Sequence, residues 1–204
     1  PKIISVSAPK SGWFAAGDTL QWQVKFSEAI VVTKTQKNPY LSIQIGNTNK
    51  QAALSIQNES ILEFIYVIKP GDLDSVGINW KKNIVLNGTS ISDSTGNLAQ
   101  VSWADTTSIY TIKIDAIAPN INKITLPSPG WYPASQWLYF SVIFSEPIFI
   151  KGDLNQIKLL LSVQSSLQTA RLLKVAGNQV QFGFQVQLGA WDKKGVYPLQ
   201  IVLE

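Results

Sequence analysis

Two β-sandwiches in tandem are what this 204-residue sequence predicts. Three observations predict them: a long internal repeat, a hydrophobic period of two, and turn residues at strand-length intervals. The repeat has one clear register, 118 residues. Pro1, Ile3, Pro9, Gly12, Trp13, Ala16, Leu20, Val24, Phe26, Ser27, Glu28 and Ile30 recur as Pro119, Ile121, Pro127, Gly130, Trp131, Ala134, Leu138, Val142, Phe144, Ser145, Glu146 and Ile148. Those are 12 identities over 33 ungapped positions, where about 2 are expected by chance. Phe64, Gly71, Asp74 and Gly77 return at the same offset as Phe182, Gly189, Asp192 and Gly195. A register held this long is a duplication. It divides the chain into repeat 1, residues 1–116, and repeat 2, residues 117–204. Their junction, Ile114-Asp115-Ala116-Ile117-Ala118-Pro119, contains no Gly/Ser spacer. Pro119 fixes its own φ and pushes Ala118 toward extended geometry, so an end-to-end arrangement is expected.

The strands follow from alternation. Leu20, Trp22, Val24 and Phe26 alternate with Gln21, Gln23 and Lys25, one face for a core and one for water. Leu41/Ile43/Ile45, Leu62/Phe64/Tyr66/Ile68 and Tyr110/Ile112/Ile114 continue the pattern in repeat 1. Repeat 2 offers Leu138/Phe140/Val142/Phe144, Leu159/Leu161/Val163 and Val180/Phe182/Phe184/Val186/Leu188. Between them stand turn signals such as Gly17-Asp18, Gly46-Asn47, Pro70-Gly71-Asp72 and Asn87-Gly88. No window carries a capped helical pattern. Seven or so short strands in about 100 residues are the signature of an immunoglobulin-like sandwich.

Repeat 2 stops early. Gln200-Ile201-Val202-Leu203-Glu204 resembles Asn83-Ile84-Val85-Leu86-Asn87, so the counterpart of residues 90–114 falls beyond Glu204. The second sandwich thus lacks its final strand or strands within this chain. Either the chain stops short of them, or another subunit donates a strand, as in fibres built by strand donation. Tyr110, Ile112 and Ile114 show what such a strand looks like, and residues 2–6 are a candidate donor.

Composition narrows the function. With no His and no Cys, there is no imidazole base, no Ser-His-Asp triad, no thiolate chemistry and no disulfide. No acid pair stands out as a glycosidase dyad and no phosphate loop is present, so no catalytic residue is assigned. The net charge of +4 comes from scattered lysines, which is no nucleic-acid footprint. No apolar run reaches membrane-spanning length. Pro1 and the absence of Met suggest a mature or excised piece of something longer.

Several motifs fall in a telling order. They are Ala16-Gly17-Asp18-Thr19-Leu20, Val24-Lys25-Phe26-Ser27-Glu28-Ala29-Ile30, Pro70-Gly71-Asp72-Leu73-Asp74-Ser75-Val76-Gly77-Ile78, Leu86-Asn87-Gly88 and Ile91-Ser92-Asp93-Ser94-Thr95-Gly96-Asn97. With the closing Ile114-Asp115 and Ala118-Pro119, the chain resembles the bacterial Ig-like or cadherin-like repeats of large surface adhesins and biofilm-associated proteins. The resemblance implies an extracellular stalk or filament of a bacterial or archaeal surface, often stiffened by calcium near the domain junction. Glu28, Asp72, Asp74, Asp93, Asn97 and Asp115 are the oxygen donors that would hold calcium in repeat 1. Alternatively, the Pro-Gly-Asp carboxylates cap backbone amides. Repeat 2 has Gln136 and Ala190 where repeat 1 has Asp18 and Asp72, so a site there would be weaker.

Trp13 and Trp131 recur beside Gly12 and Gly130, either plugging the domain near the junction or offering sugars a stacking platform. The expected role is that of a non-enzymatic spacer. Its partners would be neighbouring repeats of the same or a like protein. The alternatives are strand exchange into a filament, or a module that binds host-surface glycans or a receptor through exposed Trp. Neither nucleic acid nor direct membrane insertion is expected.

Overall fold

The computed structural model describes residues 1–33, 37–104, 112–164 and 166–203. They form two compact units, Pro1–Ala118 and Pro119–Glu204, each with its own apolar cluster. The fold is all-β and immunoglobulin-like. Among the described residues, the strands are interrupted by a single 3-10 turn, Leu154–Gln156, and by no α-helix.

Unit 1 runs β1 (Ile3–Ser7), β2 (Gly12–Phe14), β3 (Thr19–Phe26), β4 (Val31–Thr33), β5 (Tyr40–Ile45), β6 (Thr48–Asn58), β7 (Ile61–Val67), β8 (Leu73–Asp74), β9 (Asn79–Val85), β10 (Ser90–Ser92) and β11 (Ile112–Asp115). Strict alternation in β3 buries Leu20, Trp22, Val24 and Phe26 and leaves Thr19, Gln21, Gln23 and Lys25 in water. β3 lies in a six-stranded sheet of order β1-β3-β7-β6-β5-β9. In a flat sheet β3 and β9 would stand about 19 Å apart, four strand spacings. Yet the rings of Trp22 on β3 and Trp80 on β9 meet edge to face at 6.1 Å. The sheet therefore curls until β3 and β9 confront each other across the core.

Two smaller sheets, β2-β11-β8 and β4-β10, close the remaining side. They send Ile112 and Ile114, and Val32 and Ile91, into the same cluster. The first edge is shared between sheets. β1 pairs antiparallel with β3, the chain turns at Pro9, and β2 then pairs parallel with β11. Proline suits that step because it fixes φ and asks for no ladder bond. Residues 2–6, a candidate donor strand in the sequence, are thus largely occupied at home on β3. Tyr110 lies outside the described residues.

Unit 2 contains β12 (Ile121–Thr125), β13 (Trp137–Phe144), β14 (Ile157–Val163), β15 (Ser166–Ala176), β16 (Gln179–Gln185) and β17 (Tyr197–Leu203). Its sheet order, β12-β13-β16-β15-β14-β17, is that of the six-stranded sheet of unit 1, place for place. The duplication reaches the irregularities. The register shift between Ile3 and Ser5 returns between Ile121 and Lys123, and that between Leu54 and Ile56 returns between Leu172 and Lys174. Asn79 and Tyr197 still match at 118, but Ile84 matches Ile201 at 117, because the bulge in β17 is one residue shorter than that in β9. Pro198 sits at that bulge, where a missing N–H costs no regular ladder bond.

One strand is shorter than its alternation suggests. β16 ends at Gln185. Val186 then donates its N–H to the Gln136 carbonyl and accepts from the Ser135 N–H, which turns the chain away and leaves Leu188 exposed.

Backbone conformation is repeated where residue type is not. Left-handed φ occurs at Gly17 and Ser135, at Gly46 and Gln164, and at Glu59 and Gly177. At Gly46 a Cβ would meet the Leu73 carbonyl oxygen at 2.9 Å, so glycine is required there. Gln164 holds the same turn with φ 50 and a side chain, which is a strained choice. Gln164→Gly is therefore expected to stabilise unit 2 by about 0.5–1 kcal/mol, and Gly46→Gln to destabilise unit 1. Urea midpoints of the two variants check both signs.

Candidate functional site

The acidic residues singled out by the sequence are distributed over several turns, and most of their oxygens are engaged. Asp72 is buried. Its Oδ2 accepts from Tyr66 Oη at 2.6 Å and from the Lys69 N–H at 3.0 Å. Its Oδ1 accepts from Lys50 Nζ at 2.7 Å. Burial by itself raises the Asp72 pKa, but the hydrogen bonds from Lys50, Tyr66 and Lys69 outweigh it and hold the carboxyl below its ordinary value. Burial, then the hydrogen bond and charge of Asp72, push the Tyr66 phenol well above its usual range.

Asp74 braces two turns at once. Its Oδ2 accepts from Gly46 N at 2.8 Å, and its Oδ1 from Val76 N at 3.1 Å and Gly77 N at 2.8 Å. Asp192 repeats this in unit 2, accepting from Gln164 N at 2.6 Å, Lys194 N at 2.7 Å and Gly195 N at 3.2 Å. These amide bonds, led by that of Gln164, hold the Asp192 pKa low. Asp93 closes its own loop: Thr95 and Asn97 donate four hydrogen bonds of 2.8–2.9 Å to it, the Asn97 side chain first among the causes that depress its pKa.

Asp115 accepts from Ile117 N at 3.3 Å. Glu28 is half-exposed, with Oε1 3.2 Å from the Pro1 nitrogen. The neighbouring serine has a role that recurs in both units. Ser27 Oγ accepts from Lys2 N at 3.1 Å and Ser145 Oγ from Asn120 N at 3.0 Å, tying the start of each unit to the end of its second sheet strand.

The six candidate calcium donors are not gathered into one site: among the described residues no three acids converge. The reason is local, since Asp72, Asp74 and Asp93 serve the amides and side chains of their own turns. Addition of EDTA to the full chain is accordingly expected to leave both melting transitions unmoved, as read by scanning calorimetry. A downward shift would show that bound calcium stabilises the unit.

Sequence reading missed Lys50 and Tyr66. A signal was present, because the whole network changes together: Lys50, Tyr66 and Asp72 correspond to Gln168, Phe184 and Ala190. Repeat 2 replaces the set as a unit.

The interface candidates separate into two groups. Ile112 and Ile114 are fully buried in unit 1, where β11 pairs parallel with β2 and antiparallel with β8. They are core, not free surface. Trp13 and Trp131 are 60% and 81% exposed, so neither ring plugs its own unit. Alternation in β2 turns Trp13 outward and Phe14 inward, and Lys113 Nζ stands 5.3 Å from the Trp13 ring.

Unit 2 differs from unit 1 most on the side that β10 and β11 cover. Phe26, Ile30, Val32, Ile68 and Ile78 are buried in unit 1. Their counterparts Phe144, Ile148, Ile150, Val186 and Val196 are only partly buried. Trp131, Phe149, Leu188 and Trp191 are exposed.

No family model and no curated protein matches the chain. Among solved structures, the chain is similar to a marsupial T cell receptor at 10% identity and a TM-score of 0.28, covering 98% of this chain and 72% of that one.

Proposed function

We propose that the chain is a non-enzymatic structural repeat of a bacterial or archaeal cell-surface adhesin or fibre, its sandwiches acting as spacers. One observation carries the reading: the two units repeat strand order, bulges and turn-bracing aspartates at a near-constant offset, although most side chains differ. What is preserved is an architecture for building length. Catalytic side chains do not recur with it. The absence of His and Cys fits the same reading, as does the extracellular resemblance of the turn motifs. Neighbouring repeats are the expected partners.

Antibody raised against the 204-residue chain should label intact cells of the source organism. Labelling only after permeabilisation would remove the surface location and the spacer role with it. A second reading, a glycan- or receptor-binding module, is favoured by Trp13 and Trp191, which are exposed and each have a lysine near the ring. Binding on a glycan array that disappears in Trp13→Ala and Trp191→Ala would support it.

A further inference from the structure

We infer that the solvent face of the unit 2 sheet, around Trp137, Tyr139 and Arg171, binds a chain of carboxylated sugars. The two units pair their strands identically here, so the faces compare position by position. Arg171 stands opposite Gly183, and Gly183 opposite Tyr139. In unit 1 Ala53 stands opposite Ile65, and Ile65 opposite Gln21. On the same face Trp137 takes the place of Thr19, Lys158 that of Tyr40, Lys174 that of Ile56 and Gln181 that of Glu63. At these positions repeat 2 has two rings on β13 with three cations beside them, where repeat 1 has no cation and one acid.

The side chains are laid down on the strands. A Cβ on Gly183 would meet Leu173 Cδ1 at 2.6 Å and Trp137 Cε3 at 3.1 Å, so the glycine makes room for both. The Arg171 guanidinium carbon lies over the Trp137 ring, 4.7 Å from its centre. That packing accounts for Trp137. It does not account for Tyr139, which is 49% exposed on the strand beside Gly183. Nor does it account for the charge. Among the described residues no strand of unit 2 contains an acid, and neither ion pair involves Arg171. In unit 1 the face keeps Glu63, which accepts from Ser55 Oγ at 3.0 Å.

The chemistry of these groups selects the ligand. An exposed guanidinium donates two parallel hydrogen bonds to a carboxylate. Tyr139 offers an apolar ring with a polar tip. Gln179 and Gln181 alternate with the buried Val180 and Phe182 and so share the outer face, where carboxamides both donate to and accept from hydroxyls. Tyr139 and Arg171 are two strands apart, about 10 Å in backbone spacing, so the ligand spans more than a single small ion. Single-stranded nucleic acid asks for a succession of free rings, and the Trp137 ring is already covered by Arg171. The inference uses neither Trp13 nor Trp191 and holds whether or not the chain is a surface spacer.

The test titrates the full chain with a galacturonate oligomer by calorimetry. The oligomer should bind saturably and shift the amide signals of Tyr139, Arg171 and Gly183. Tyr139→Gln and Arg171→Ala each install the residue of repeat 1, and both should weaken binding at least about tenfold. The unit 2 melting transition reports that these surface variants stay folded. Methyl esterification of the oligomer should weaken binding by a similar factor, because the carboxylates are neutralised. Trp13→Ala and Trp191→Ala should leave it unchanged. Absence of binding would overturn the inference, as would amide shifts confined to other surfaces. Equal binding by the esterified oligomer, or by single-stranded DNA of matched charge, would overturn it as well, since a carboxylated sugar would then not be what is recognised.

Discussion

Asp72→Ala is expected to destabilise unit 1 by about 2–3 kcal/mol, and the added changes Lys50→Gln and Tyr66→Phe are expected to recover most of the loss. Removing one partner of a buried ion pair commonly costs about 3–5 kcal/mol. The Lys50 side chain keeps 26% exposure while that of Asp72 keeps 4%, so the ammonium can turn to water and the cost falls below that range. The phenol of Tyr66 cannot, and stays buried without its acceptor. The triple replacement installs the set that repeat 2 carries, Gln168, Phe184 and Ala190, and leaves neither an unpaired charge nor an orphaned hydroxyl. The three residues should therefore be strongly non-additive, the triple variant standing within about 1 kcal/mol of the parent.

The same network sets an acid limb. Asp72 has a depressed pKa in the folded state. Its stabilisation is complete above the unfolded Asp value of about 3.9 and is lost as pH falls through the folded value. In the triple variant that contribution to the limb should vanish. Hydrogen exchange of the β7 amides against pH measures both effects. A triple variant as unstable as Asp72→Ala would sink the account.

What the sequence made legible was whatever burial period and repetition encode. Alternation marks β3, β7, β13 and β16, and the 118-residue offset pairs β3 with β13 and β7 with β16. Pairwise chemistry was harder to read. An aspartate in a Pro-Gly-Asp turn looks the same whether it waits for calcium or already holds Tyr66 and Lys50, because its partners lie 6 and 22 residues away in the chain. Left-handed turns are visible when glycine occupies them and invisible at Ser135, Gln164 and Glu59, where local preference is overridden by the pairing on either side. The outward face of Trp13 was equally hidden. β2 is three residues long, too short for alternation to declare which side is core. The comparison between repeats supplies what one repeat withholds: Lys50, Tyr66 and Asp72, which touch one another, are replaced together.

Trp22→Ala should lower unit 1 by about 3–5 kcal/mol, as large-to-small changes of buried aromatic residues do. Trp22 is fully buried in the first cluster and meets Trp80 where the curled sheet closes. Its removal opens the largest cavity that a single truncation can make in that core. The indole also carries a cost, because its Nε1–H is buried and finds no hydrogen-bond partner among the described residues. Such an orphan donor is worth about 1–3 kcal/mol of desolvation. Trp22→Phe gives up part of the apolar contact but removes that donor, so the variant should stay within about 1 kcal/mol of the parent. Repeat 2 has taken this route: Phe140 occupies the corresponding place, fully buried, and the residue corresponding to Trp80 is Pro198. Because the two apolar clusters share no residue, calorimetry should show two transitions. Trp22→Ala should lower the one belonging to unit 1 by about 10–20 °C and leave the other in place. If both move together, the units do not unfold separately. If Trp22→Phe costs as much as Trp22→Ala, the unpaired indole N–H is not a burden on this core, and the edge-to-face contact that joins β3 to β9 across the curled sheet is what holds it shut.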